Sequence, residues 1–263
     1  MNLTAHLEAR ENLDIKKSKE ELSSEQGGKG VTKKLKLKNN EIYFTKDNTI
    51  ANVYKLVCIY ELFEIINSSA EALYKIPVSK KYDYKLFLNT KGEIGARFYS
   101  QGYDNVESIR KLFKDTSKAK HAMYVKYIKY KFAFPNYLIN NWDMHSGNII
   151  KGDNRQSVYA IDFEEGNFKN LGKIDIKMQP LLKRKKQALH NYLSFYLRLL
   201  KSKKNEMLAI FDRIKKQFIN DINATDASEE SKASAIKELD NNYKNEMLKN
   251  INDLIKFCED KLK

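Results

Sequence analysis

The stretch that decides the fold is "NWDMHSGNIIKGDNRQSVYAIDFEEG", residues 141–166. A polar knot carrying Asp143, His145 and Asn148 runs into a short apolar segment, a turn-rich "KGDNRQ" and a second apolar run that ends on Asp162. "NII" and "SVYAIDF" on either side of such a turn predict a β-hairpin. An antiparallel hairpin would set Asn148 and Asp162 side by side at one end. Two oxygen ligands held together, with a third carboxylate nearby, suit a magnesium ion that keeps waters and a nucleotide's phosphates. Asp143 is then left to orient or deprotonate an attacking hydroxyl.

Upstream of this stretch the pattern is that of a small sheet with one helix. Residues 1–26 are polar and mixed in charge, which predicts a tail or a frayed helix. From "GGKG" (27–30) the chain alternates through Val31 and Leu35, turns at Asn39-Asn40 and continues as "EIYFTK", a glycine loop leading into a hairpin. "TIANVYKLVCIYELFEIIN" (49–67) predicts a helix with Val53, Leu56, Val57, Tyr60, Phe63 and Ile66 near one face. "DYKLFLNTKGEIGARFYSQGY" (83–103) predicts two strands around "NTKGE".

Downstream the chain is mainly helical. "VESIRKLF" (106–113) and "KAKHAMYVKYIKYKFAF" (118–134) predict helices, the second stopping near Pro135. Three amphipathic segments follow, at about 180–200, 204–222 and 227–262, with Asp226 as N-cap of the last. Trp142 and Phe163 suit core packing. His121 and His190 have no partner at metal-ligand spacing and suit packing or surface positions.

Composition limits the classes available. At 263 residues the chain can bury a sizeable core, and 42% hydrophobic residues exclude a disordered composition. A mean hydropathy of −0.63 implies a solvated exterior. No run reaches the roughly 18–20 apolar residues of a membrane span, and the N-terminus lacks a cleavable signal pattern, so the cytoplasm is the expected location. Cys58 and Cys258 stand apart in apolar contexts, which predicts buried thiols rather than a zinc or disulfide framework. The net charge of +14 gathers in "KKLKLK" (33–38), "KYIKYK" (126–131) and "KRKK" (183–186). Such runs coat solvated elements, or meet an anionic partner such as a phosphorylated ligand, an anionic lipid headgroup or nucleic acid.

"DMHSGNII" followed by "IDFEEG", its aspartate 14 residues after Asn148, resembles the catalytic and metal-binding loops of the protein kinase-like superfamily. The DxHxxN form is closer to its atypical branches: aminoglycoside and choline kinases, phosphoinositide kinases and small bacterial effector or toxin kinases. The resemblance implies an α+β, bilobal kinase-like fold with a small β-rich N-lobe (27–104) after the 1–26 tail, and a mainly helical C-lobe (105–263). It implies Asp143 as catalytic base, Asn148 and Asp162 as ligands of Mg2+ or Mn2+, and His145 bracing the loop or donating to a phosphate. It also implies that Gly27, Gly28 and Gly30 cover ATP, that Lys46 meets its α and β phosphates, and that Glu61 or Glu64 holds Lys46. "ARFYSQGY" would be the hinge, touching adenine through the backbone near Ser100 and Gln101.

An ATP-dependent kinase acting on a protein is the first expectation, on the likeness to small bacterial effector or toxin kinases, although no APE-like motif follows Gly166 and an ordinary protein-kinase substrate platform is therefore missing. A phosphoinositide or small-molecule kinase, a pseudokinase or AMP-transferase on the same fold, and a basic module binding nucleic acid or anionic lipid are the alternatives. Under the kinase expectation nucleic acid is not a partner. A polyanionic activator or anionic lipid would dock on the lysine clusters, and a secreted effector would act in a host cell.

Overall fold

The computed structural model describes residues 19–22, 33–36, 42–71, 74–78, 81–102, 107–108, 129–141, 148–151, 158–160, 163–170 and 174–263. Five strands form an antiparallel sheet in the order β1-β2-β3-β5-β4: β1 Lys19–Leu22, β2 Lys33–Lys36, β3 Ile42–Asn48, β4 Tyr82–Leu88 and β5 Ile94–Gly102. A second sheet takes β6 Glu107–Ser108, β7 Ile149–Lys151 and β8 Val158–Ala160 in that order. The helices are α1 Ile50–Ser69, α2 Ala133–Ile139, α3 Ile174–Leu182, α4 Lys186–Asn223, α5 Glu229–Lys237 and α6 Tyr243–Leu262. The class is α+β, with the first half rich in strands and the second in helices.

Local chemistry explains the early elements. Strands β2 and β3 pair antiparallel, with Lys36 opposite Ile42, and the expected Asn39-Asn40 turn between them lies outside the described residues. Asn48 and Thr49 then start α1: the Thr49 hydroxyl accepts from the Asn52 amide at 3.2 Å, and Asn48 Oδ1 accepts from the Asn52 side chain at 2.8 Å. The β4–β5 turn is built by Asn89, whose Oδ1 accepts from the amides of Lys91 and Glu93 at 2.9 and 3.0 Å, with Gly92 taking a φ of 76°.

The expected tail contains a strand, since Lys19–Leu22 pairs antiparallel with β2. Alternation was too short there to separate from a polar coil. Helix α1 is buried all round from Val53 to Tyr60 rather than along one face: Tyr54, Cys58 and Ile59, and farther on Leu62 and Ile65, are covered as well as the expected positions. It lies between β4 and β5 on one flank and α4 on the other, and a helix apolar all round needs such a two-sided cover. Buried side chains of α1, α2, α4 and α6 belong to one cluster, so the core runs without a break across the expected lobe boundary at 104–105.

Four helical expectations change. Residues 107–108 are a strand paired with β7, where a helix over 106–113 was expected. Helical residues 129–131 end just before Pro135, near the expected stop, and Pro135 itself sits in the first turn of a further helix, α2, where its missing N–H costs nothing. The segments 180–200 and 204–222 are largely one 38-residue helix, because "KSKK" between them is polar yet helix-forming. The last segment is divided instead, at "LDNN" (239–242), whose Asp and Asn side chains compete for backbone partners. Ser228, rather than Asp226, caps α5 by accepting from Ser231 N.

Candidate active site

The hairpin expected at the motif is present. Strands β7 and β8 pair antiparallel with Ile149 opposite Ala160, both fully buried. Asn148 immediately precedes β7 and is 7% exposed. The Ala160 amide donates to Pro77 O at 2.8 Å, which fastens the hairpin to the segment after α1. That segment is fixed in turn by Asn67, whose side chain brackets Ile76 through its N–H at 2.6 Å and its carbonyl at 3.1 Å. Asp143, His145 and Asp162 lie outside the described residues, as do Gly27, Gly28 and Gly30; the chain on either side of 142–147 and the chain after Asp162 are described.

Those flanks are tied together. Phe163, directly after Asp162, is buried among Tyr60 and Phe63 of α1 and Phe132, with ring centroids 5.8, 4.9 and 5.9 Å away. Farther on, the amides of Asn167 and Phe168 donate to Ile139 O, the last residue of α2, at 2.9 and 3.0 Å. Asn140 Nδ2 reaches Asn167 Oδ1 at 2.7 Å and Lys169 O at 2.6 Å. Lys177 of α3 donates to Asn140 Oδ1 at 3.1 Å and Asn170 Oδ1 at 2.5 Å, and Asn170 donates to Tyr137 O. The chain entering residues 142–147 and the chain leaving Asp162 are therefore one hydrogen-bonded unit.

Asn250 of α6 completes it, donating to Leu138 O at 2.9 Å and Phe168 O at 2.6 Å. Among the described residues, the non-glycine positions with positive φ are Asn140 at 49° and Phe168 at 60°. Asparagine tolerates the left-handed region; a bulky aromatic there is strained and persists only when its surroundings hold it. Both stand beside the motif.

A cleft of about 400 Å³ opens beside this unit, lined by Asp47, Asn48, Asn52, Lys55, Glu164, Glu165 and Asn167. Sequence reasoning missed Lys55, although a charged residue inside the apolar run of α1 was a visible signal. Lys55 is 6% exposed and its Nζ donates to Glu164 O at 2.5 Å. Burial pushes its ammonium below the ordinary lysine value, while the Glu164 and Glu165 carboxylates work the other way. Asp47 is paired with Arg97, its two carboxylate oxygens accepting from Nε and Nη2.

The remaining candidates take varied places. Lys46 stands on β3 opposite Phe98, whose ring meets Tyr60 of α1 at 5.3 Å; the Lys46 side chain lies outside the described residues. Glu61 accepts from the Tyr82 hydroxyl and from Arg213 Nη2 at 2.6 Å, so both its oxygens are engaged by β4 and α4. Glu64 is exposed. Ser100 and Gln101 lie near the end of strand β5: Ser100 is opposite Phe44 and Tyr82 across the ladders, and the Gln101 amide donates to Lys81 O at 2.9 Å.

Amide and carboxylate oxygens are the donors that magnesium takes, and the Asn148 amide at the start of β7 fits that chemistry. Among the described residues no three His, Cys, Asp or Glu side chains gather as a metal site, the two motif aspartates lying outside them.

No protein-family model matches the chain, and neither does any curated protein. Among solved structures, a MAP kinase from Leishmania major aligns over 97% of this chain and 89% of its own, at 10% identity and a TM-score of 0.34.

Proposed function

We propose that the chain is an ATP-dependent phosphotransferase that uses Mg2+ or Mn2+ and an alcohol acceptor, an atypical protein serine/threonine kinase of the bacterial effector or toxin type. One observation carries the proposal: the segments bordering 142–147 and 162 are bonded to each other through Ile139, Asn140, Asn167 and Phe168, beside a polar cleft. A shared anchor for two motif-bearing loops is what a site assembled from both requires, since catalysis by positioning fails when either part drifts by an ångström.

In this reading Asn148 and Asp162 would hold the metal ion, which when bound would screen the charge of the phosphates. Asp143 would orient the acceptor hydroxyl and take its proton as the oxygen bonds to the γ-phosphorus and ADP leaves. The Asn140, Asn170, Lys177 and Asn250 network would keep the two loops in register without touching substrate.

Incubation with γ-labelled ATP and Mg2+ or Mn2+ tests this directly, comparing wild type with Asp162→Ala. Label transfer, to the protein itself or to a general acceptor, is expected in wild type and lost by at least about a hundredfold in the variant. Equal signal from both defeats the assignment. Intact mass separates the AMP-transferase alternative, because phosphate adds about 80 Da and AMP about 329 Da.

A further inference from the structure

The turn after Asp162 lies on α1 with little room to spare. A Cβ placed on Gly166 would stand 3.0 Å from Ile59 Cδ1, 3.1 Å from Phe163 O and 3.3 Å from Ile139 O, so the glycine permits close approach to both α1 and α2. The Gly166 amide closes the turn onto Phe163 O at 3.0 Å. Apolar packing fixes this turn at its ends, through Phe163 and Gly166. Between them come Glu164 and Glu165, two charged residues that no apolar contact would hold.

Lys55 meets the turn at that point. It is the one charged residue between Ile50 and Tyr60 of a helix buried all round from Val53 to Tyr60, and its ammonium binds the Glu164 carbonyl. Burying a lysine costs desolvation, which a methionine or leucine in the same place would avoid; a charge-assisted bond to backbone offsets that cost and gives direction that apolar packing lacks. We infer that Lys55 is a positioning residue that clamps the Phe163–Gly166 turn onto α1 and so fixes the chain that leaves Asp162. Its kinetic consequence rests on the phosphotransferase reading; the clamp itself does not.

Hydrogen exchange and kinetics on the full chain test the two parts separately. The amides of Gly166, Asn167 and Phe168 are bonded in the docked turn and report on it. In Lys55→Met these three are expected to exchange about tenfold faster or more, with Lys55→Arg close to wild type because its guanidinium still donates. With labelled ATP, Lys55→Met should lose about tenfold in kcat and need more Mg2+ for half-activation, while KM for ATP moves by less than about twofold.

Unchanged exchange at the three amides in a cooperatively folding Lys55→Met overturns the clamp. Faster exchange with unaltered kcat and metal dependence overturns the positioning role. If wild type itself transfers no phosphate, the phosphotransferase reading fails while the exchange comparison still decides the clamp. Should Lys55→Met not fold, Lys55→Gln, whose shorter stem falls short of the Glu164 carbonyl, is judged on the same amides.

Discussion

Replacing Asn250 with alanine should show how much of the molecule's stability is invested in the junction beside the motif. Asn250 is fully buried on α6 and is the donor to two carbonyls, Leu138 O at 2.9 Å and Phe168 O at 2.6 Å. Leu138 is in the last turn of α2, where carbonyls lack a helical partner, and Phe168 is outside any helix. Leaving a buried carbonyl unpaired costs about 1–3 kcal/mol, so two cost about 2–6 kcal/mol. Some of this is returned, because Asn250 Oδ1 is buried with no partner among the described residues and disappears with the side chain. The net expectation is about 2–4 kcal/mol, which for a chain of this size lowers Tm by about 5–15 °C.

Urea and thermal unfolding of Asn250→Ala measure it, with the exposed Asn245→Ala on the same helix as control, expected within about 0.5 kcal/mol of wild type. Asn250→Asp adds a sign. A carboxylate facing two carbonyl oxygens would be held above the ordinary carboxyl value of about 3.9, so it is neutral and tolerated at low pH and costly as pH rises through its folded value. Its deficit relative to wild type should therefore be larger at pH 8 than at pH 4. An Asn250→Ala variant within about 1 kcal/mol of wild type, with an unchanged denaturant slope, would refute the reasoning that this side chain ties α6 to both loops.

Gly166→Ala should destabilise by about 1–3 kcal/mol, since two of the three atoms its Cβ meets are backbone oxygens that cannot rotate away; equilibrium unfolding gives the value. Burial pushes the Cys258 thiol up to about 12 and Cys58 higher still, and raises the hydroxyls of Tyr54, Tyr82, Tyr192 and Tyr196. These groups stay protonated in the fold but ionise in the unfolded chain above about pH 9–10. Their contribution is thus complete below that range and is lost as pH rises toward the folded values. Stability should fall steeply above about pH 9.5, and neither thiol should react with a thiol reagent at pH 8 until the chain unfolds.

Elements carried by near neighbours in sequence were legible before any coordinates. The β7–β8 hairpin follows from "KGDNRQ" between two apolar runs, the β4–β5 turn from "NTKGE", and α1 from a long segment with apolar residues at helical spacing. What could not be read is whatever depends on distant partners. Periodicity cannot tell one covered face from two, so the unbroken burial of α1 from Val53 to Tyr60 appears only once β5 and α4 are in place. Pro135 signals a break in the helical pattern, and only the chain that follows decides that a further helix, α2, begins around it. Glu61 accepts from Tyr82 and from Arg213, the latter 152 residues away, contacts that no spacing in the sequence announces.

The motif itself divides along the same line. Sequence determined which residue types stand at 143, 148 and 162, and with them the chemistry a site there can perform. Tertiary structure alone decided that Ile139, Asn140, Asn167, Phe168, Lys177 and Asn250, spread over more than a hundred residues, bind the two loops into one unit, and that Lys55 meets the turn of "DFEEG". Residue chemistry is local and survives in the order of the chain. Hydrogen bonds across long loops depend on where folding brings the backbone, and no spacing rule records that.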